Sequence, residues 1–176
     1  MPVAATYAIQ MQFSGSAGAW TTVTDVVLNP PISCQYGIRG SGPADRVAGT
    51  GTLTFALNNS IANSGGKLGY YSPGNANARA GFELGIGVRA ALTYSGSTFY
   101  KFIGSLEEIG PVPGIYDARV TYCTAVDWMD EAAKQNVRRL TTRVDQRGEQ
   151  VVAAVVGVMT RKPAASALNA GDDTFP

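Results

Sequence analysis

Apolar side chains recur at every second position in several short segments of this 176-residue chain, and this period restricts the fold more than any other feature. In the first segment Tyr7, Ile9, Met11 and Phe13 alternate with small or polar residues. A period of two places successive side chains on opposite faces of a β-strand, so the apolar ones share one face. Gly, Pro, Ser and Asn separate the segments and mark turns.

We predict a mainly β fold, an antiparallel β-sandwich or barrel of about seven strands, because short strands with regular turn signals are typical of those architectures. The triplet at 95–97 is expected to close a hairpin, and "GPVPG" at 110–114 to form a second turn. The predicted strands are Tyr7–Phe13, Trp20–Leu28, Ile32–Arg39, Gly51–Asn59, Val88–Tyr94, Thr98–Ile109 and Asp117–Val126.

One or two short helices are predicted on the C-terminal side, where the period changes. In "VDWMDEAAKQN", Asp127 suits an N-cap and Asp130 completes a capping box, which predicts a helix over Asp127–Gln135. A second helix follows from an apolar stripe at helical spacing. The stripe consists of Val151, Val152, Val155, Val158 and Met159. We therefore predict a β domain over residues 1–144, and a linker with the start of a further helical or mixed unit over 145–176.

The absence of histidine restricts the chemistry of the chain. It removes the usual general base near neutral pH and the commonest transition-metal ligand. The 14 basic and 13 acidic residues are scattered, so nucleic-acid binding is not expected. No apolar run approaches about 18 residues, and the N-terminus lacks the pattern of a signal peptide. We expect a soluble protein made in the cytoplasm, without a membrane span.

The candidate motifs lack the context that their chemistry requires. "GIGVRA" at 85–90 precedes a strand instead of opening a helix, so it does not match a dinucleotide site. Cys34 and Cys123 have no metal or redox spacing and are expected to be buried free thiols, although a disulfide stays possible. We expect no catalytic residue, no cofactor and no metal. Helix capping and strand ends account for the acidic residues Glu107, Glu108, Asp127, Asp130 and Glu131.

A long polar connection, predicted over residues 58–86, separates two well-formed strands. Such a connection inside a domain is usually functional or ordered against a partner. Its aromatic and aliphatic side chains suit docking on a neighbouring subunit. On this interpretation Tyr71→Asp weakens assembly and leaves the domain folded. The expected interface residues are Ile61, Leu68, Tyr70, Tyr71, Pro73, Phe82 and Leu84.

Four segments of the chain resemble the N-terminal region of bacteriophage tail proteins of the tail-tip or baseplate class, in siphophage-like tails. They are "GTLTFALNNS", "LGYYSPGNANARAGFELGIGVRA", "FIGSLEEIGPVPG" and "VTYCTAVDWMDEAA". The chain departs from the family pattern at Ile86-Gly87, where a proline is common. The positions that match the family pattern are Leu57, Asn58, Asn59, Tyr71, Ser72, Pro73, Gly87, Val88, Arg89, Phe102, Gly104, Leu106, Ile109, Pro111, Val120, Ala125 and Asp127.

The resemblance implies a non-enzymatic virion protein, of the hub or distal-tail type. It would assemble around the tail axis as a homo-oligomeric ring of three or six copies, together with other tail proteins. Its place would be the virion tail, and the host cytoplasm during assembly. Family members are often longer, so a C-terminal portion is expected to be missing or processed.

Two other functions stay open from the residues themselves. The numerous aromatic side chains could form the platform of a carbohydrate-binding or host-adsorption module. A tail-associated cell-wall hydrolase is the third alternative, and it would need a catalytic pair that the sequence does not offer.

Overall fold

The computed structural model describes residues 4–15, 18–37, 48–114, 119–136, 144–160, 162–163, 166–170 and 174–175. The chain divides into two compact units, residues 1–127 and 128–176. The boundary predicted after residue 144 directly follows residues 137–143, which lie outside the described part, and it stays a prediction.

The described part of the first unit forms one antiparallel sheet, in which the strands follow the order β2-β1-β6-β7-β8-β5-β3 and β4 also pairs with β5. The strands are β1 (Thr6–Met11), β2 (Thr21–Val23), β3 (Val26–Val27), β4 (Ser33–Gly37), β5 (Gly49–Asn58), β6 (Gly87–Tyr94), β7 (Ser97–Val112) and β8 (Val120–Asp127).

The two end strands of this sheet are neighbours in sequence. Only Thr24 and Asp25 separate β2 from β3, so the two ends of the sheet must meet at this point. The sheet is therefore a nearly closed barrel, and the prediction of a mainly β, antiparallel barrel is confirmed. The single strand predicted over Trp20–Leu28 is wrong, because the chain passes there from one end of the sheet to the other.

The hairpin between β6 and β7 is confirmed. Ser95 and Gly96 have φ values of 49° and 79°, the left-handed conformation that a two-residue hairpin turn requires.

The turn predicted at "GPVPG" is wrong at its beginning, since β7 continues through Gly110 and Pro111 to Val112. Pro111 pairs with Thr121 of β8, beyond the last residue that pairs with β6. Beyond Ser105, β8 is the one described strand that pairs with β7, and a proline is tolerated in such an edge region.

The core of the unit comes from alternate residues of the strands, as the period of two predicts. Leu53, Phe55 and Leu57 of β5 are almost completely buried, whereas Thr54 between them is exposed. β1, β6, β7 and β8 contribute further side chains to the same cluster: Ile9, Met11, Val88, Phe102, Leu106, Cys123 and Ala125.

The second unit contains both predicted helices, α1 (Trp128–Lys134) and α2 (Gly148–Val158). In α1, Lys134 forms a 2.7 Å ion pair with Asp130 one turn earlier. Two short strands, β9 (Gln146–Arg147) and β10 (Thr174–Phe175), pair antiparallel. Within the described structure the valine stripe of α2 is largely exposed at Val151, Val152 and Val158.

Both cysteines are free thiols. Cys123 is buried in the core, as expected, whereas Cys34 is partly exposed. Burial raises the pKa of the Cys123 thiol from 9.0 to about 12. The folded protein therefore keeps this thiol protonated at a pH where the unfolded chain ionises it.

Replacing Leu106, which is 1% exposed, by alanine is expected to lower the free energy of unfolding by about 2–5 kcal/mol, because the change leaves a cavity in the core. Val112→Ala, on the same strand but 43% exposed, should change it by less than about 0.5 kcal/mol. Urea unfolding followed by circular dichroism measures both. Equal effects of the two variants would contradict the assigned core.

The buried thiol predicts a loss of stability in alkali. Ionisation of Cys123 in the unfolded chain should lower the free energy of unfolding by about 1.4 kcal/mol between pH 8 and pH 10, and Cys123→Ala should lack this contribution. Urea unfolding of both proteins under reducing conditions gives the difference. If the free energy of unfolding fell equally with pH in the two proteins, Cys123 would not be the cause of the alkaline loss of stability.

Candidate functional site

Residues 59–86, called here the connecting segment, link β5 to β6 without forming a helix or a strand. Successive turns hold the middle of the segment. The backbone N–H of Ser72, Asn75 and Ala78 each donates to the carbonyl three residues earlier, at 3.0–3.1 Å. The long connection predicted over residues 58–86 is thus an ordered series of turns, and Asn58 itself ends β5.

Two buried asparagines organise the first half of the connecting segment. Asn63 accepts a hydrogen bond from the N–H of Gly65 and donates through its amide to the carbonyls of Ser60 and Lys67. Asn59 accepts from the N–H of Tyr71 at 2.7 Å and donates to the Ser72 hydroxyl at 2.7 Å. A buried amide that satisfies several backbone groups fixes a loop that has no ladder of its own.

Asp25, between β2 and β3, fastens the connecting segment to the seam of the barrel. Its carboxylate accepts three hydrogen bonds: from the backbone N–H of Ser64 at 2.7 Å, from the Ser64 hydroxyl at 2.5 Å and from the Tyr71 hydroxyl at 2.6 Å. Hydrogen bonds to an ionised acceptor are stronger than neutral ones. No local pattern predicts the role of Asp25, since its partners lie 39 and 46 residues away in the chain.

Tyr71 is completely buried in its own unit. Its backbone carbonyl accepts from the Thr121 hydroxyl at 2.9 Å, and its own hydroxyl accepts from the Arg79 guanidinium at 3.1 Å. Burial, followed by the hydrogen bond to Asp25 and its charge, raises the pKa of the Tyr71 hydroxyl, although Arg79 acts in the opposite direction. The hydroxyl therefore stays protonated and keeps donating to the carboxylate.

Phe82 and Arg79 fix the second half of the connecting segment, Phe82 against Tyr71 and Arg79 against Phe13, which follows β1. The Phe82 ring meets the Tyr71 ring edge to face, with 5.1 Å between centroids. The Arg79 guanidinium lies over the Phe13 ring, 3.6 Å from its centroid. Gly81 has a φ of 74°, and a Cβ at this position would overlap the carbonyl oxygen of Phe13, so no side chain fits there.

The structure corrects two of the expected interface residues. Tyr71 and Phe82 belong to the hydrophobic core of their own unit, with 0% and 3% of their surface exposed, so neither can contact a partner. The physical reason is that the connecting segment folds back onto the barrel and fills its core. Tyr70 is half-buried and packs on Tyr71, with 5.1 Å between ring centroids.

The remaining expected interface residues do lie on the surface. Ile61 and Leu84 are more than 60% exposed, Leu68 is 36% exposed and Pro73 is exposed. These four, called here the apolar set, stand on a segment whose backbone is held by the hydrogen bonds described above. That they contact a partner stays a prediction.

The acidic residues do not assemble into a metal site within the described ranges, where no group of three or more His, Cys, Asp or Glu side chains occurs. Glu108 accepts a hydrogen bond from Thr124 on the neighbouring strand.

Among the aromatic residues, Trp20 and Tyr100 both stack on the Arg89 guanidinium, at 4.3 and 4.2 Å. No helix in the described part of the chain has the length and apolar character needed to cross a membrane.

Neither a protein-family model nor a curated protein sequence matches the chain. Among solved structures, the fold is similar to the crystal structure of the 43 kDa tail protein of prophage MuSo2 from Shewanella oneidensis. The TM-score is 0.48, with 10% sequence identity. The likeness covers 88% of this chain and 38% of that chain, so this chain spans less than two fifths of that protein's length.

The burial of Tyr71 yields a prediction opposite to the one drawn from the sequence. Tyr71→Asp should unfold the first unit, with a loss above about 4 kcal/mol, because it buries an unpaired charge. Tyr71→Phe, which removes only the hydroxyl shared by Asp25 and Arg79, should cost about 1–3 kcal/mol. The exposed Tyr94 gives the matched control, since Tyr94→Phe should be nearly neutral. Urea unfolding measures all three, and a Tyr71→Asp variant as stable as the wild type would refute this assignment.

Proposed function

We propose that this chain is a structural protein of a phage tail, of the tail-tip or baseplate hub type or of the distal-tail type. It assembles through subunit interfaces around the tail axis, as a ring of three or six copies in contact with other tail proteins. It acts by binding and catalyses no reaction. Its place is the virion tail, and the host cytoplasm during assembly.

The observation that carries the proposal is the apolar set on the connecting segment. Ile61 and Leu84 expose more than 60% of their surface to water. Aliphatic surface that stays in water contributes no hydrophobic stabilisation. Full burial of a completely exposed Leu or Ile side chain contributes about 1.5–3 kcal/mol, and covering the exposed part of Ile61 or Leu84 contributes a corresponding fraction of this. Leu68, Pro73 and Leu84 fall within a segment of the sequence that resembles tail proteins, and Ile61 directly follows another, which supports the assignment to a tail.

The rigidity of the connecting segment supports a docking role. Asn59, Asn63 and Asp25 already fix its backbone in the free chain. Binding therefore does not have to order the loop, and the entropic cost of association is reduced. A loop without these hydrogen bonds would lose part of its binding energy to ordering.

The charge balance also suits an assembly of identical subunits. The formal net charge is +1 at neutral pH, so copies packed around one axis repel each other little. The lack of histidine is consistent with a binding function, because the usual acid–base and metal chemistry would need other residues.

Replacing Ile61 and Leu84 together by aspartate should leave the urea midpoint of the first unit within error of wild type and abolish assembly. The reason is that both side chains are exposed in the single chain, whereas a charge would be desolvated in an interface. Sedimentation velocity of the full chain measures the assembly. Tyr94→Asp, at a 51% exposed aromatic position outside the connecting segment, is the control and should assemble normally.

The assignment to a tail is tested on purified particles. Quantitative mass spectrometry of tails should find the chain at three or six copies, or a multiple of these numbers. Its absence from tails, or its presence as a single copy, would refute the proposed function.

A further inference from the structure

The two ends of the barrel differ. The connecting segment packs at the end at which β1 finishes and β6 begins, where its Tyr71, Phe82 and Ile86 join the core. At the opposite end, where β1 begins, the described structure has an apolar groove of about 470 Å³. Tyr7, Leu28, Cys34, Tyr36 and Lys101 are among the residues that line it.

At the groove, the backbone hydrogen bonding between neighbouring strands of the barrel is interrupted. β2 pairs with β1 only at Ile9–Met11, so the first half of β1 has no neighbour on that side among the described residues. β4 pairs with β5 and, within the same ranges, with no other strand. Tyr7 of β1 and Cys34 of β4 both line the groove, so the two unpaired edges face the same space.

The direction of the backbone groups on β1 follows from one hydrogen bond. The N–H of Gln12 donates to Gly87, on the β6 side. Because backbone groups alternate along an antiparallel strand, even-numbered residues of β1 point toward β6 and odd-numbered ones point away. The N–H and C=O of Tyr7 therefore point to the side that β2 leaves open.

The same reasoning applies to β4. The N–H of Asn58 donates to Asp25 and that of Asn59 to Arg119, so even-numbered residues of β5 point toward β3 and β4. Cys34 stands opposite Leu53, an odd-numbered residue of β5. The N–H and C=O of Cys34 therefore point away from β5, to the free edge.

The side chains of the groove have the composition of a strand-binding site. Leu28 is 78% exposed and Tyr7 is 71% exposed, although both are large and apolar. Lys101, from the middle of β7, is the charged residue of the lining and is exposed. Within the described ranges it forms no ion pair, so its charge is available to a carboxylate.

We propose that this groove receives an extended segment of a partner protein, which inserts as an additional strand between β1 and β4. The segment carries apolar side chains at every second position and an acidic residue that reaches Lys101. It bonds to the backbone of Tyr7 on one side and of Cys34 on the other. Since β1 and β4 run in opposite directions, it lies antiparallel to one of them and parallel to the other.

The unpaired backbone favours a strand over other occupants. A small apolar molecule could fill the volume but would leave both edges without hydrogen bonds, which costs free energy once water is excluded. Strand addition satisfies both edges and places alternate side chains in the apolar lining. This inference goes beyond the proposed tail function and does not rest on it.

The test uses the full chain and a blocked nonapeptide in which valine alternates with threonine and the last residue is glutamate. We expect saturable binding in a fluorescence polarisation titration. A second peptide, N-methylated at alternate amides, should bind at least about tenfold more weakly, because it loses hydrogen bonds to the strand edges. Hydrogen exchange should slow at the amides of Tyr7 and Cys34 when the first peptide is bound.

The proposed contact between the acidic residue of the peptide and Lys101 is tested by reversing the charge on each side. Lys101→Glu should weaken binding of the glutamate peptide and strengthen binding of the same peptide ending in lysine. Lys67→Glu, the same change at an exposed lysine of the connecting segment, is the matched control and should alter neither affinity.

Several results would overturn the inference. One is equal binding of the methylated peptide, and another is the absence of binding by every peptide. A third is slow exchange of Tyr7 and Cys34 in the free chain, which would mean that a segment of the chain itself fills the gap. Protection that appears only as the protein concentration rises would identify a second copy as the occupant and would also refute the inference.

Discussion

The carboxylate of Asp25 joins the two parts of the structure on which the first unit depends. It lies where the ends of the sheet meet, between β2 and β3, and it binds Ser64 and Tyr71 of the connecting segment. The seam of the barrel and the fold of the segment are thus stabilised by the same group. Because Tyr71 is also a core residue, the hydrogen bonds of Asp25 and the packing of the hydrophobic core stabilise each other.

The strands of the barrel could be predicted because their period is local. In β5, Leu53, Phe55 and Leu57 recur at every second position on the core face, and this alternation can be read without knowledge of the partner strand. The break at Thr24-Asp25 could not be predicted in this way, since the residues around it favour a strand and only the closure of the sheet interrupts it. The extension of β7 through Pro111 was missed for a similar reason, because a proline is tolerated at an edge that only the pairing reveals.

The candidate site was predicted in part. The sequence indicated that the apolar side chains of the connecting segment must be buried against something, and for Tyr71 and Phe82 this is the barrel itself. Composition does not distinguish burial within a chain from burial between chains, because the hydrophobic effect is the same in both. What separates Tyr71 from Ile61 is a set of distant polar partners, Asp25 and Thr121, which no local pattern encodes.

The length of β7 has a mechanical consequence. Its sixteen residues extend over about 53 Å, and the neighbouring strands attach to different halves of it. β6 pairs with Ser97–Ser105 and β8 with Gly104–Val112, so the two ladders overlap only at Gly104 and Ser105. A force that draws β6 and β8 apart along the strand direction is therefore carried by β7 as tension. All the hydrogen bonds of each ladder are then sheared together, whereas a force across the strands would open them one by one.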